Sequence, residues 1–326
     1  MELVEDFAQH WVIVVLETLL IGLPSAFGFL CNFVAFLILI RHQALRNSFG
    51  YLSAYRALTN AGVLLILLLW TTPWILVKMP TSAQRLNQLA GQMTLFFMES
   101  CFQCSFVISI NRFVAVFYPT YYRKAFNERT TAIVLLLTTS LSLIYFGLYF
   151  VAGSDGCNFY YDQKSNAWRF GTDLCSKRMA HYVDMLSNMV LFAISCVIDV
   201  IVFIRLRSST KKIMTTSGAY MEKANRLRSR RETLLFAQAI LNTLLYSVML
   251  LCFHIIALFT TNTLSHFLSR TFVWSVAHTV DGLILIYLNP EIRKHLVSIR
   301  HFVQIIKDPV SSSANRVGPI FSSTFK

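Results

Sequence analysis

The chain has 326 residues and a formal net charge of +13. Hydrophobic residues make up 55% of it and charged residues only 14%, with a mean hydropathy of +0.55. Water-soluble domains carry about 25% charged residues, so the composition excludes an ordinary soluble globule and indicates a chain solvated mainly by lipid.

Crossing the hydrocarbon core of a bilayer takes about 20 apolar residues in a helix. Seven runs qualify, at 11–40, 51–77, 89–117, 132–152, 185–206, 234–260 and 267–288. The expected fold is all-α, a seven-helix transmembrane bundle over 11–288. The stretch 1–10 is expected as an extracellular tail, 289–303 as a short interfacial helix and 304–326 as a disordered cytoplasmic tail. The first run follows the acidic MELVEDFAQH, whereas a secretory leader begins basic and has a shorter apolar core, so it is read as a retained span. Arg270, His278 and Asp281 interrupt the last run, which leaves a six-span reading open on hydropathy alone.

Charge sets the expected orientation. Arg41 and Arg46 follow run one, and Arg123, Lys124 and Arg129 follow run three. Nine Lys and Arg lie between Arg205 and Arg231, and Arg293, Lys294 and Arg300 follow run seven. Cytoplasmic loops carry the Lys/Arg excess, which places the N-terminus outside. Basic residues sorted to one membrane face argue for contact with anionic lipid and against a nucleic-acid partner.

Five of the seven cysteines fall inside apolar runs, where free buried thiols are ordinary. The other two, Cys157 and Cys175, close the outer loop CNFYYDQKSNAWRFGTDLC. That compartment is oxidising, and a bridge there would stabilise the fold by roughly 3 kcal/mol through loop closure.

In ISINRFVAVFYPTYYRK, residues 108–124, Arg112 lies inside an apolar run. Snorkelling to the interface accounts for its tolerance, but an ionisable residue in a span is more often a functional one. The triplet Asn111-Arg112-Phe113, followed by Tyr118-Pro119, resembles the acid-Arg-aromatic signature of seven-helix, rhodopsin-like G-protein-coupled receptors. INRFVAVFYP is closer still to the nematode serpentine chemoreceptors of class X. NSFGYLSAYRALTN, CNFYYDQKSNAWRF and LNPEIRKHL occur in the order that this family has them.

The resemblance implies a plasma-membrane receptor, sensory cilia included. Such a receptor binds an external small molecule and activates a heterotrimeric G protein through the inner ends of spans three, five and six. It implies no cofactor and no metal, and it makes Arg112 a conformational latch. Asn111 stands where an acid is usual, which leaves Glu232, at the start of span six, as the candidate lock.

VDGLILIYLNPEIRK resembles the receptor pattern Asn/Asp-Pro-x-x-Tyr, with Asp281 at the first position and Gly282 in place of proline. Gly282 is expected to loosen the helix there, and Asn60 in span two to pair with Asp281 as a switch or as a packing pair. Asp199 in span five is a further intramembrane acid. Span six lacks the family's Trp-x-Pro hinge. Glu99 lies 13 residues before Arg112, about 20 Å along a helix, at a depth that suits a ligand pocket. His254, Trp274 and His278 fall at compatible depths. Ile292, Leu296, Ile299 and Val303 share one face of the interfacial helix.

Other functions lack their residues. No H-E-x-x-H or G-x-S-x-G motif points to an enzyme, and no lysine between Phe272 and Tyr287 could carry retinal. A ligand-gated seven-span channel with inverted topology is the alternative, and the charge distribution opposes it.

Overall fold

The computed structural model describes residues 2–151, 157–214 and 219–296. Seven long helices succeed one another. Span one is Glu2–Arg41, already helical at its second residue. Span two is Ser48–Ile66, continued by Leu67–Thr71 and Thr72–Leu76. Span three is Gln84–Phe117 and span four Glu128–Val151. Span five is Asn188–Met214, preceded by Leu174–Arg178 and Met179–Ser187, and span six is Ala219–His254. Phe267–Phe272 and Val273–Leu288 form span seven. Six helices of the described residues are long and apolar enough to cross a membrane by length and composition. Span four, with 24 residues, completes the bundle expected from the sequence.

The bundle exposes apolar side chains and buries polar ones beside its apolar core. Leu136, Leu137, Val197, Ile204 and Leu244 are exposed, whereas Glu17, Asn60, Thr94, Asn188 and Asp281 are buried. Apolar side chains facing outward, with polar groups sequestered inside, are what lipid as solvent demands.

Local chemistry explains the ends. Asn47 caps span two by accepting from the Gly50 amide at 3.0 Å. Near its outer end, Pro73 lacks the N–H that an α-helix needs. The ladder widens to a π turn over Leu67–Thr71, and the Thr72 hydroxyl donates to Leu67 O at 3.0 Å. Two more π turns, Met179–Ser187 and Phe267–Phe272, sit at the outer ends of spans five and seven. After span seven, Asn289 Oδ1 accepts from the amides of Glu291 and Ile292. A second helix therefore starts at once, and Ile292 docks it against Leu39, Ala54 and Leu285. Residues 297–326, which include Ile299 and Val303, lie outside the described residues.

The outer loop is more than a tether. It forms an antiparallel hairpin, β1 (Phe159–Asp162) with β2 (Ala167–Phe170), pairing Phe159 with Phe170 and Tyr161 with Trp168. Phe159, Tyr161 and Trp168 are buried in the top of the bundle. Trp168 Nε1 donates to Thr71 Oγ1 of span two at 3.1 Å. Asn87 of span three clamps the Tyr161 backbone from both sides. A β-carbon at Gly91 would lie 2.1 Å from Phe159 O, so span three carries a glycine where β1 crosses it.

The Cys157–Cys175 disulfide closes the hairpin as expected. Below it, Asp173 accepts from the Ser176 and Cys157 amides. Burial opposes the charge, but these bonds and the Ser176 hydroxyl win and hold the carboxyl at about 2. Cys157→Ser should release the plug. We expect a loss of roughly 3 kcal/mol and a matching drop in the melting temperature of detergent-solubilised protein under non-reducing conditions.

Candidate functional site

Two polar clusters occupy the interior, one above the other. The inner cluster centres on Asp281. Asn60 donates to Asp281 Oδ2, as does the Tyr246 hydroxyl at 3.0 Å. Tyr246 also lies 3.1 Å from Asn60 Oδ1, which His278 Nδ1 approaches at 2.7 Å and Cys101 Sγ at 3.1 Å. Arg56 Nη2 stands 3.1 Å from Asp281 Oδ1, with side-chain exposures of 3% and 2%. The pair is close without hydrogen-bond alignment, since both atoms remain without such a partner. Spans two, six and seven thus meet at one carboxylate, and span three joins the cluster through Cys101 and Asn60.

The expected Asn60–Asp281 contact is present. Gly282 does something other than the expected loosening, because Val273–Leu288 runs through it unbroken. A β-carbon there would lie 2.4 Å from Asn32 Nδ2, which donates to Gly28 O and His278 O. Glycine permits spans one and seven to touch. Gly282→Ala should displace Asn32 from two buried carbonyls at a cost of about 1–3 kcal/mol, measurable as lowered thermal stability.

Further toward the inner end, Asp199 receives a hydrogen bond from Ser109 Oγ at 3.1 Å and acts electrostatically on Arg112. The Arg112 guanidinium lies over the Phe49 ring at 5.2 Å, and its Nε and Nη1 are buried without hydrogen-bond partners. Asn111 turns away from its neighbour. It donates to Ser48 Oγ at 2.9 Å and accepts from Tyr122, tying span two to the short helix Pro119–Ala125. Phe113 stacks on Phe117 at 4.6 Å and meets Tyr118 edge-on at 6.3 Å, with Pro119 opening the next helix. The Glu232 side chain lies outside the described residues.

The outer cluster joins spans three, five and six. Asn188 Nδ2 donates to Glu99 Oε1 at 2.8 Å, and His254 Nε2 meets Asp184 Oδ2 at 2.8 Å. Trp274 is buried among Phe159 and Phe253 with stacked rings 5.6 and 5.2 Å away. Of the four expected pocket residues, Glu99 and His254 therefore share a cluster. Trp274 lies in the adjoining aromatic core, and His278 is drawn into the inner network. A cavity of about 550 Å³ opens elsewhere, beside the hairpin, lined by Trp74, Lys78, Asn87, Tyr160 and Gln163 and by none of those four.

Residues 23–289 match the family described as serpentine type 7TM GPCR chemoreceptor Srx. The chain belongs to that family. Serpentine receptor class X 45 of Caenorhabditis elegans is 25% identical over 311 residues, covering 90% of this chain and 85% of that protein. The crystal structure of squid rhodopsin is similar with a TM-score of 0.72 at 12% identity, over 92% of this chain and 89% of that one. The second likeness shows the fold, a seven-helix bundle. An Srx chemoreceptor is a multi-pass membrane protein and not an enzyme.

Four residues of this Srx chain escaped the sequence reading of its sites, namely Arg56, Asp184, Asn188 and Tyr246. Arg56 is an ionisable residue inside a span and so carried the same signal as Arg112. Asp184 fell just before an apolar run and read as loop. Tyr246 gave no signal, since an aromatic in a span is unremarkable.

Proposed function

We propose that this Srx receptor binds a small molecule from outside the plasma membrane and activates a heterotrimeric G protein inside. The chemosensory cilium is the membrane in which such a protein serves. The observation that carries the reading is the buried Arg112 head, whose Nε and Nη1 have no hydrogen-bond partner, in a bundle that holds further polar clusters above it. Tyr246 links span six to Asp281 and Asn60, and its ring meets Phe102 of span three at 5.1 Å. Phe102 lies three residues inward of Glu99. A ligand that shifts the outer cluster therefore disturbs the contacts holding span six.

Glu232, Tyr118 and Pro119 are proposed to border the docking face with Arg112, and the Lys/Arg-rich inner loops to lie against anionic lipid. Span six has no interruption between Ala219 and His254, so it is proposed to move as a rod.

Two measurements test this. Membranes containing the full chain should accelerate nucleotide exchange on purified heterotrimers. An epitope at the N-terminus should be labelled on unpermeabilised cells. An amino end found inside would return the inverted channel to first place.

A further inference from the structure

We propose that Glu99 and Asp184 form an ammonium-binding site, so that the external ligand is a small organic cation with an apolar body. The proposal rests on the receptor reading above and gives its ligand a chemical class.

Glu99 is 5% exposed and Asp184 2% exposed. Asn188, on the same face as Asp184 one turn on, bridges them. Its Nδ2 donates to Glu99 Oε1 at 2.8 Å and to the Asp184 carbonyl at 2.9 Å. Asp184 sits on the π turn Met179–Ser187, a device that recurs at functional sites because it re-aims side chains. The charged neighbour acting on Glu99 is Asp184 itself. Two carboxyl groups thus share one buried region between spans three and five, where a like charge is felt strongly. Among the described residues, no lysine or arginine forms an ion pair with either; Asp184 has His254 alone.

A second, separate deficit lies in hydrogen bonding. Asp184 Oδ1 and Asn188 Oδ1 are both buried and receive no donor. Buried acceptors are rarely left bare, and each costs about 1–3 kcal/mol of desolvation. The same buried cluster has no lysine or arginine partner among the described residues and leaves two acceptors without donors. A primary ammonium supplies one charge and three N–H donors. An alcohol brings one donor without charge, and a carboxylate would add a third negative group. Metal ions are the other source of positive charge. Among the described residues, no group of three or more His, Cys, Asp or Glu is arranged to hold one.

Aromatic rings bound the cluster on two sides. Inward, Phe102 meets Phe192 edge-on at 5.0 Å, three and four residues past Glu99 and Asn188. Outward, Phe170 of the hairpin stacks on His254 at 6.2 Å. Ring faces attract cations and shelter apolar groups. They account for the apolar body, and the hairpin's hold on His254 puts the outer loop in reach of the ligand.

The test uses the full-length receptor in membranes with purified G protein. The probes are 3-methylbutylamine and 2-phenylethylamine, each set against the alcohol and carboxylic acid of the same skeleton. Nucleotide exchange is read together with thermal shift of the solubilised receptor. The amines should raise both, at concentrations where the alcohols and acids do nothing. Glu99→Gln and Asp184→Asn, each checked for surface delivery, should raise the half-maximal amine concentration at least tenfold. An equal or larger response to the alcohol or acid overturns the assignment, as does an amine response unchanged by Glu99→Gln. Inert amines on a receptor whose ligand-free exchange still depends on Arg112 overturn the ligand class and leave the receptor reading standing. Absence of any Arg112-dependent exchange removes the receptor reading itself.

Discussion

Asp281→Ala should destabilise the receptor by about 3–5 kcal/mol, the range for removing one member of a buried ion pair. Arg56→Ala should cost less, because the two losses leave different remainders. Without Asp281, the Arg56 guanidinium keeps its charge in a site where it is 3% exposed, and Asn60 and Tyr246 lose an acceptor as well. Without Arg56, the Asp281 carboxylate still accepts from Asn60 and Tyr246, bonds that charge makes stronger.

Neutralising both partners in Arg56→Met with Asp281→Asn removes the charges together and keeps approximate shape. Such replacements are often neutral, so the double variant should melt above Asp281→Ala by several degrees. Thermal unfolding of solubilised receptor, with all variants in the same detergent, supplies the numbers. If the two substitutions simply add, the pair is two independent side chains, and the inner cluster is not the common anchor of four spans.

The contrast between Arg56 and Arg112 shows what sequence could convey. Every span was legible, because lipid imposes a run length on each helix. Cys157 and Cys175 were legible too, since the remaining thiols sat in apolar runs. The hairpin was not foreseen, although CNFYYDQKSNAWRF has two aromatic-rich arms around a polar turn. Its burial depends on Asn87, Thr71 and Gly91, which are 66 to 86 residues away from Cys157. Depth along a helix could be counted from sequence, but rotation about its axis could not. His278 and Trp274 were placed at the right level for a pocket. Four residues apart, one met Asn60 and the other Phe159 and Phe253. Gly282 was read for backbone freedom, whereas its missing side chain is what Asn32 requires. Asp199 had no nameable partner in the sequence because Ser109 and Arg112 are 90 and 87 residues away.

Arg112→Ala should abolish accelerated nucleotide exchange while leaving surface delivery near normal. The guanidinium contributes little to the fold as it stands. Nε and Nη1 have no hydrogen-bond partner, Phe49 offers a ring at 5.2 Å, and Asp199 acts on it without closing a salt bridge. Buried donors left bare are a cost, and removing them costs the resting state little. The same donors would gain most from the carbonyl or carboxylate oxygens of a docked protein, since a planar fork forms paired bonds that an ammonium cannot. Arg112→Lys should therefore retain only a minor part of the activity.

Asp199 gives the opposite sign. Its charge draws Arg112 toward span five, so Asp199→Asn should free the head and raise ligand-independent exchange. A bias of about 1.4 kcal/mol corresponds to tenfold in a two-state equilibrium, and that sets the size of the expected rise. Exchange assays on matched amounts of surface receptor distinguish the outcomes. Normal exchange by Arg112→Ala would take the arginine out of coupling altogether. Unchanged basal exchange by Asp199→Asn would leave Arg112 as a docking group without Asp199 as its restraint.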